Sequence, residues 1–292
     1  MIPKFINGSG EYNLYSEAEL QDKMHVVSFS GGRTSAYLLY NLLMHIPREK
    51  VVVNFANTGR EDPRTLDFVR DVQNDLNIHI NWLEFQYHPT EKTRNGNPAP
   101  YHRVVSYETA SRNGEPLREY IEQTKYIPNH QRRSCTMATK IDVQNSFNKT
   151  LGITNDNMIR YIGIRYDEPK RWSKNVNQFN EFGNAIAYPL VDWETTKADV
   201  LGFWSKASFD LQLNEPFGNC DLCFLKSTKK RIAVLKQRPE IARWWSELEE
   251  KVGSQWDREY SVKQLYKIAT GEAMLDESKE QKNDISCLCN LD

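Results

Sequence analysis

The sequence predicts an α/β fold in which helices flank a parallel sheet. Three runs rich in β-branched and apolar residues, beginning at Val26, Lys50 and Ile78, alternate with segments of helical periodicity in under ninety residues. Strands joined through helices pair in parallel by right-handed crossovers. Because ligands in such sheets lie beyond the carboxyl ends of the strands, the loops after these strands are the first candidates for a site.

The first of these loops has the composition of an anion-binding turn. Ser28 lies in the strand, and Ser30-Gly31-Gly32-Arg33-Thr34-Ser35 opens onto the helix-forming residues from Ala36 to Leu43. Backbone N–H groups in such a turn converge on an anion, glycine lets the main chain approach it, and the hydroxyls add donors. The spacing is neither that of a Walker loop nor that of a dinucleotide fingerprint. We therefore predict a phosphate site, with an ordinary glycine turn before a helix as the alternative.

The remaining elements are predicted from the same patterns. Pro63 introduces a helix, and Leu66, Val69 and Val72 recur in it at helical spacing. Residues 87–116 contain several prolines, glycines and charges, which predicts a long excursion with at most short helices. Further strands are expected at 158–165 and 185–190, and further helices at about 132–149, 197–206 and 239–252.

Composition limits the class of protein. The chain of 292 residues has room for an α/β domain at 1–215 and a helical, cysteine-bearing region at 216–292. A net charge of −1 gives no overall attraction to nucleic acid or to an anionic membrane. No membrane span or secretion signal is apparent, so we expect a cytoplasmic protein. Five cysteines are too few for a disulfide scaffold, and their odd number indicates metal or redox work.

Several short motifs occur along the chain in a fixed order. They are the Ser30–Ser35 loop; Asn57-Thr58-Gly59; Arg132-Arg133-x-Cys135 with Lys140; Gly163-x-Arg165-x-Asp167-Glu168; and Tyr188-Pro189-Leu190-x-Asp192-Trp193. In this order they resemble the phosphoadenosine phosphosulfate (PAPS) reductase family, with Asn57 in place of that family's Asp. The resemblance implies a Rossmann-like, adenine nucleotide alpha-hydrolase-like fold that binds an adenine nucleotide through these loops. It also implies catalytic roles for Lys140 and Arg165.

The cysteines resemble the iron–sulfur branch of that family. Cys135, Cys220 and Cys223 match three ligands of a [4Fe–4S] cluster, whereas Ser134 stands where a fourth would be. Cys287 or Cys289 is the candidate for the fourth ligand, unless that position is left open for sulfide or substrate. Zinc bound by four thiolates and a buried pair of ordinary cysteines without metal are the alternatives.

Three functions remain open at this stage. The resemblance implies reduction of a sulfonucleotide, but the C-terminal nucleophile segment of the reductases is missing, so Cys287 or Cys289 would have to act as the attacking thiol. The absence of that segment favours an ATP-dependent sulfurtransferase that modifies a nucleic acid or a small molecule. A non-catalytic regulator is the third hypothesis. A thiol or sulfur-donor protein and a second copy of the chain are further candidate partners.

Overall fold

The computed structural model describes residues 4–6, 12–14, 22–172, 185–214, 216–218 and 220–280. The strands in these parts are β1 (Lys4–Ile6), β2 (Tyr12–Leu14), β3 (Met24–Phe29), β4 (Val51–Asn57), β5 (Ile80–Lys92), β6 (Pro98–Val105), β7 (Met158–Ile162) and β8 (Ala185–Ala187). They form one sheet in the order β2-β1-β8-β7-β3-β4-β5-β6.

The middle of the sheet is parallel, as the sequence predicts. β3 pairs in parallel with β4 and with β7, β4 pairs in parallel with β5, and β7 with β8. The chain runs from β3 outward through β4 and β5 and later returns to β7 on the other side of β3. The carboxyl ends of β3 and β7 are therefore the point at which the strand order reverses, where ligands of such folds bind.

Helices cover the sheet and continue into the C-terminal region. They are α1 (Arg33–Leu42), α2 (Pro63–Leu76), α3 (Glu115–Thr124), α4 (Ser134–Thr136 with the π-helical Met137–Ile141 and Asp142–Thr150), α5 (Pro189–Asp192), α6 (Lys197–Trp204), α7 (Thr228–Gln237), α8 (Ala242–Val252) and α9 (Val262–Thr270). Asp62 caps α2 and Pro63 occupies its first turn, while Leu66, Val69 and Val72 are buried. This confirms the helix predicted at Pro63.

The prediction for residues 87–116 is wrong for its first half. β5 continues to Lys92 and returns antiparallel through β6, so an edge hairpin replaces the predicted excursion. Gly96 has φ +79° and the N–H of Thr93 donates to Asn97 O at 2.7 Å, which closes the turn. The tip of this hairpin is exposed, so its residues need no alternation of apolar and polar side chains, and the pattern was not visible.

One hydrophobic cluster contains residues from both parts of the chain. It includes Val27 and Phe55 of the sheet together with Trp245 and Leu265 of the C-terminal helices. The C-terminal region is helical as expected, and a domain boundary at residue 215 stays a prediction. No helix in the described ranges has the length and apolar character needed to cross a membrane.

Candidate functional site

The loop between β3 and α1 is held in shape by its own hydroxyls. Ser35 Oγ accepts the N–H of Ser30 at 3.2 Å, lies 2.8 Å from Ser30 Oγ and donates to Gly32 O at 3.0 Å. Gly31 has φ +79°, and a Cβ there would lie 2.8 Å from Thr65 Cγ2. The loop thus needs glycine at 31 because α2 packs directly against it.

The first turn of α1 is left without a cap of its own. Gly32 is the N-cap residue, no side chain in the described part of the chain forms a capping hydrogen bond there, and the first turn has no acidic residue. By contrast, Asp62, Thr196 and Ser261 cap α2, α6 and α9. Uncapped N–H groups and the positive end of the helix dipole favour an external anion at the start of α1.

The side chain of Arg33 is directed away from this turn. Its guanidinium forms a bidentate pair with Asp210, at 2.6 Å and 2.8 Å, in the segment after α6. Trp204 also donates to Arg33 O at 3.1 Å. Arg33 was predicted to bind the nucleotide, but its guanidinium instead attaches α1 to the 205–214 segment.

The second wall of the crevice is the segment after β7. A Cβ on Gly163 would lie 2.9 Å from Ser35 Cα, so glycine allows the two backbones to touch. Arg165 is buried, donates to Thr34 Oγ1 at 3.2 Å and pairs with Asp167 at 2.9 Å. The Lys197 N–H and Arg165 hold the pKa of Asp167 below its usual range, although partial burial acts in the opposite direction. Gly163, Arg165 and Asp167 thus join β7 to the first turn of α1.

The loop after β4 forms the third side. Asn57 is fully buried; its amide donates to Glu84 and its oxygen accepts the N–H of Gly59 at 3.0 Å. Thr58 donates to Glu61 through its N–H and its hydroxyl, and the hydroxyl lies 3.4 Å from Cys220 Sγ. The Asn57–Gly59 motif therefore fixes this loop against the C-terminal region.

A cavity of about 60 Å³ lies between these strand ends and α4. Its lining includes Ser28, Ser30, Thr136, Lys140 and Arg160. Lys140 lies in the π-helical part of α4, and such irregular turns are frequent at functional sites. Ser28 donates to Gln144 of the same helix at 2.8 Å. The cavity borders the loop and has charged and hydroxyl groups in a wall that is otherwise largely apolar; it is called the polar cavity after these groups.

A second cavity brings the three described cysteines together. Cys135 from α4 and Cys220 and Cys223 from the segment before α7 line it, with Thr58, Lys140 and Trp245. Burial raises the pKa of Cys135 from 9.0 to about 12, and burial also raises the pKa of Cys220 and of Cys223. The thiols are therefore protonated at neutral pH as the chain stands.

Lys140 lies at the boundary of both cavities. Its Nζ lies 3.3 Å from Glu61 Oε1, and Glu61 in turn accepts from Thr58 beside Cys220. Burial lowers the pKa of Lys140, but Glu61 and the nearby cysteines outweigh burial, so the pKa is raised and the side chain is cationic. One positive charge is thus shared by the polar cavity and the cysteine cavity.

A preformed metal centre is not visible among the described residues. Within these ranges no group of three or more His, Cys, Asp or Glu side chains is arranged to hold a metal ion. Cys287 and Cys289, the candidates for a fourth ligand and for a nucleophile, lie outside the described residues. Neither the cluster nor zinc therefore has a complete ligand set in this part of the chain.

One candidate arginine lies in a cleft apart from the crevice, and a second is exposed. Arg132 and Arg133 are exposed, and Arg132 lies over the ring of Tyr126 at 4.7 Å in a separate cleft beside the β5–β6 hairpin. The basic residues that follow Cys223 do not all face solvent, because Arg231 is buried and pairs with Asp257 at 2.8 Å. That arginine secures the C-terminal helices.

Three residues of the site were missed from the sequence. Glu61 holds both Thr58 and Lys140, Gln144 holds Ser28, and Arg160 lines the polar cavity. Glu61 follows the Asn57–Gly59 motif closely, which could have drawn attention to it. Gln144 and Arg160 carry no motif, and only the packing of α4 on the sheet brings them to the cavity.

The family of this chain is shown by the sequence comparison. The sequence model of the phosphoadenosine phosphosulfate reductase domain matches residues 24–207. The uncharacterized nin region protein ORF290 of Escherichia phage lambda is 33% identical over 232 residues, which are 77% of this chain and 74% of that protein. Among solved structures, a phosphoadenylyl-sulfate reductase from Candida auris in a phosphate complex matches with a TM-score of 0.35 and 17% identity. That match covers 62% of this chain and 71% of the other.

Proposed function

This chain belongs to the phosphoadenosine phosphosulfate reductase domain family, and we propose that it is an enzyme that carries out sulfur chemistry on an adenine nucleotide. The observation that carries the proposal is the position of Lys140, which lines both the polar cavity beside the Ser30–Ser35 loop and the cavity of the three cysteines. A charge at that place can act on a nucleotide and on a thiol at once.

The nucleotide phosphates are proposed to bind at the start of α1. The uncapped first turn and the hydroxyls of Ser30 and Ser35 support this assignment. Arg165 and Lys140 are the nearby cations, and each is paired with a carboxylate. A bound phosphate would compete for them with Asp167 and Glu61, so binding is expected to redistribute these ion pairs.

Reduction of a sulfonucleotide is the reaction that the family favours. A thiolate attacks the sulfur, the bond between sulfur and the phosphate oxygen breaks, and the nucleotide leaves with that electron pair. A second thiol then attacks the resulting S-sulfo group, forming a disulfide and releasing sulfite. Cys287 and Cys289 are the proposed nucleophiles, since the described thiols are buried and protonated.

ATP-dependent thiolation is the second candidate. In this reaction ATP adenylates an acceptor with release of pyrophosphate, and sulfur replaces the AMP. The enclosed, apolar setting of Cys135, Cys220 and Cys223 favours it, because such a setting protects a reactive sulfur from solvent. The acceptor would be a small molecule or a nucleic acid, and a sulfur-donor protein is the corresponding partner.

A [4Fe–4S] cluster is proposed only as an addition to either reaction. Its ligands would be Cys135, Cys220 and Cys223, with Cys287 as the fourth, which would leave Cys289 as the nucleophile for reduction; binding to iron would displace the thiol protons that burial retains. Iron and acid-labile sulfide in anaerobically purified protein would support it. Zinc in their place, or protein without metal, would contradict it.

Product analysis distinguishes the reactions. Anaerobic protein is incubated with adenylyl sulfate or phosphoadenylyl sulfate plus dithiol, and separately with ATP, sulfide and an acceptor pool of total RNA or small metabolites. Sulfite from the first mixture supports reduction, and AMP with pyrophosphate from the second supports thiolation. Lys140→Met is expected to lower either rate about 100-fold, as loss of a positioned charge does, whereas the exposed Lys206→Met serves as the matched control. Wild-type protein that forms none of these products would contradict the proposal and leave a regulator.

A further inference from the structure

Among the residues that the structure describes, Arg160 is a buried cation without a carboxylate partner. It lies in the middle of β7, is 4% exposed, and faces the helix α4 that covers this side of the sheet. Its Nη2 donates to Asn145 Oδ1 at 2.5 Å, and its Nε has no hydrogen-bond partner among the described residues. Asn145 is neutral, so the positive charge is not offset.

The other arginines near the site differ in this respect. Arg33 pairs with Asp210, Arg165 with Asp167, and the equally buried Arg231 with Asp257. Burial alone lowers the pKa of Arg160 to about 10, which still leaves the guanidinium charged at neutral pH. Buried charges in proteins are paired with an opposite charge or hydrogen-bonded, so we expect a counter-ion beside Arg160.

The cavity beside Arg160 has the size and charge to supply that counter-ion. Its volume of about 60 Å³ leaves room for a small ion and water. Lys140 also lines it, but Glu61 offsets the charge of Lys140. Ser28, Thr136 and Gln144 add polar groups to a wall that Phe29, Ala56, Ile141 and Ile162 otherwise make largely apolar. The remaining excess is one positive charge, carried by Arg160.

We propose that this cavity is a binding site for a small inorganic anion with one negative charge, held by Arg160. A halide from the solvent and hydrosulfide share this chemistry. The site itself does not depend on the proposed function; only hydrosulfide as the physiological occupant does, because it would place a sulfur species between the nucleotide loop and the cysteines.

Salt-dependent unfolding tests the site without any nucleotide. The full chain is melted at equal ionic strength in sodium gluconate, whose anion is too large for the cavity, and in sodium bromide. At tenfold excess over the dissociation constant, bromide is expected to raise the melting temperature of the wild type by about 2–4 °C. Arg160→Met should lose this shift, Arg160→Lys should keep it, and Arg243→Met, an exposed arginine, should keep it too.

Wild-type crystals soaked in bromide provide a measurement that does not depend on whether a variant folds. An anomalous peak within hydrogen-bond distance of Arg160 supports the site. No peak there, together with equal melting shifts in wild type and Arg160→Met, would overturn it. Loss of the peak when ATP binds would also overturn it, since Arg160 would then be a phosphate ligand.

An anaerobic series with hydrosulfide decides between the two occupants. Displacement of bromide by hydrosulfide, with an equal melting shift, supports hydrosulfide as occupant. Failure of hydrosulfide where bromide succeeds would assign the site to a halide and overturn the sulfur assignment. Neither result depends on nucleotide turnover, so this proposal and the proposed function fail separately.

Discussion

The crevice at the Ser30–Ser35 loop and the cavity of the three cysteines are built by opposite means. At the crevice, carboxylates offset the cations Arg33, Arg165 and Lys140, which leaves the backbone N–H groups of α1 and, in the adjoining cavity, Arg160 as the groups offered to a ligand. In the cysteine cavity, tryptophan and phenylalanine side chains make the wall apolar and burial keeps the thiols protonated. The crevice is therefore suited to an anion. In the cysteine cavity the thiols stay protonated, and so unreactive, until a base or a metal ion removes the proton.

The largest effect is expected from crowding the crevice loop. In Gly31→Val the residue would adopt φ +79° and its side chain would meet Thr65 Cγ2 at 2.8 Å and Phe55 Cε2 at 3.1 Å. Strain and overpacking together should lower the free energy of unfolding by roughly 3–5 kcal/mol and abolish nucleotide binding. Urea unfolding and calorimetric titration with ATP measure the two effects.

Gly96→Val is the matched control for this variant. Gly96 has the same φ of +79°, but a Cβ there meets nothing within 4 Å. Its cost should be confined to backbone strain, about 1 kcal/mol, with nucleotide binding intact. Equal losses in the two variants would contradict the claim that the loop is packed against α2.

The next effect concerns the attachment of the cysteine segment to the loop after β4. Arg60 and Asp221 form a buried ion pair, and Trp245 donates to Asp221 at 2.7 Å. Arg60→Ala leaves Asp221 buried and unpaired, so the free energy of unfolding should fall by about 3 kcal/mol. The exposed pair of Arg243 and Glu247 is the control, and Arg243→Ala should cost less than about 1 kcal/mol. Similar losses in urea unfolding would show that the buried pair does not fix the segment.

A pH-dependent effect is expected at Glu249 in α8. Burial raises the pKa of Glu249 from 4.5 to about 7, although N–H groups of Trp256 and Val262 act in the opposite direction. Between these pH values the folded chain keeps a proton that the unfolded chain has lost, so the free energy of unfolding falls as pH rises. The loss should be roughly 2 kcal/mol, and Glu249→Gln should remove it. Urea unfolding at pH 5 and pH 8 measures it, and an identical pH dependence in both proteins would refute the assignment.

The smallest effect is expected from the hydroxyl that joins the two regions. Thr58→Val removes the group between Glu61 and Cys220 without changing the side-chain volume. The free energy of unfolding should fall by about 1 kcal/mol. The exposed Thr124, whose hydroxyl donates only to helix carbonyls, is the control, and Thr124→Val should cost less than about 0.5 kcal/mol. Equal losses in both variants would show that the Thr58 hydroxyl does not stabilise the contact between the two regions.

The contrast between the regions also explains what could be predicted from the sequence. The crevice comes from short contiguous motifs at strand ends, so the loop, the helix at Pro63 and the parallel order were visible in the residues themselves. The edge hairpin was not, because its exposed tip carries no burial pattern. The sequence also did not show what each motif residue does in the structure. Gly163 serves backbone contact with Ser35, and Asn57 holds its own loop.

The cysteine cavity depends on contacts between residues distant in the sequence. Cys135 and Cys220 were paired only through the family resemblance, and no local pattern predicts that Arg160 lines the cavity next to theirs. Such contacts are set by how α4 packs on the sheet, which no single segment encodes. The metal ligands at Cys287 and Cys289 stay predictions, since they lie outside the described residues.

Photolabelling with azido-adenine ATP tests the central claim most directly, that an adenine nucleotide occupies the crevice. Label that excess ATP displaces is expected in peptides from 24–36, 51–62, 134–150 or 158–168, the segments that surround the loop. Displaceable label confined to the C-terminal helices at 228–270 or to the hairpin at 88–105, or label that ATP does not displace, would contradict it.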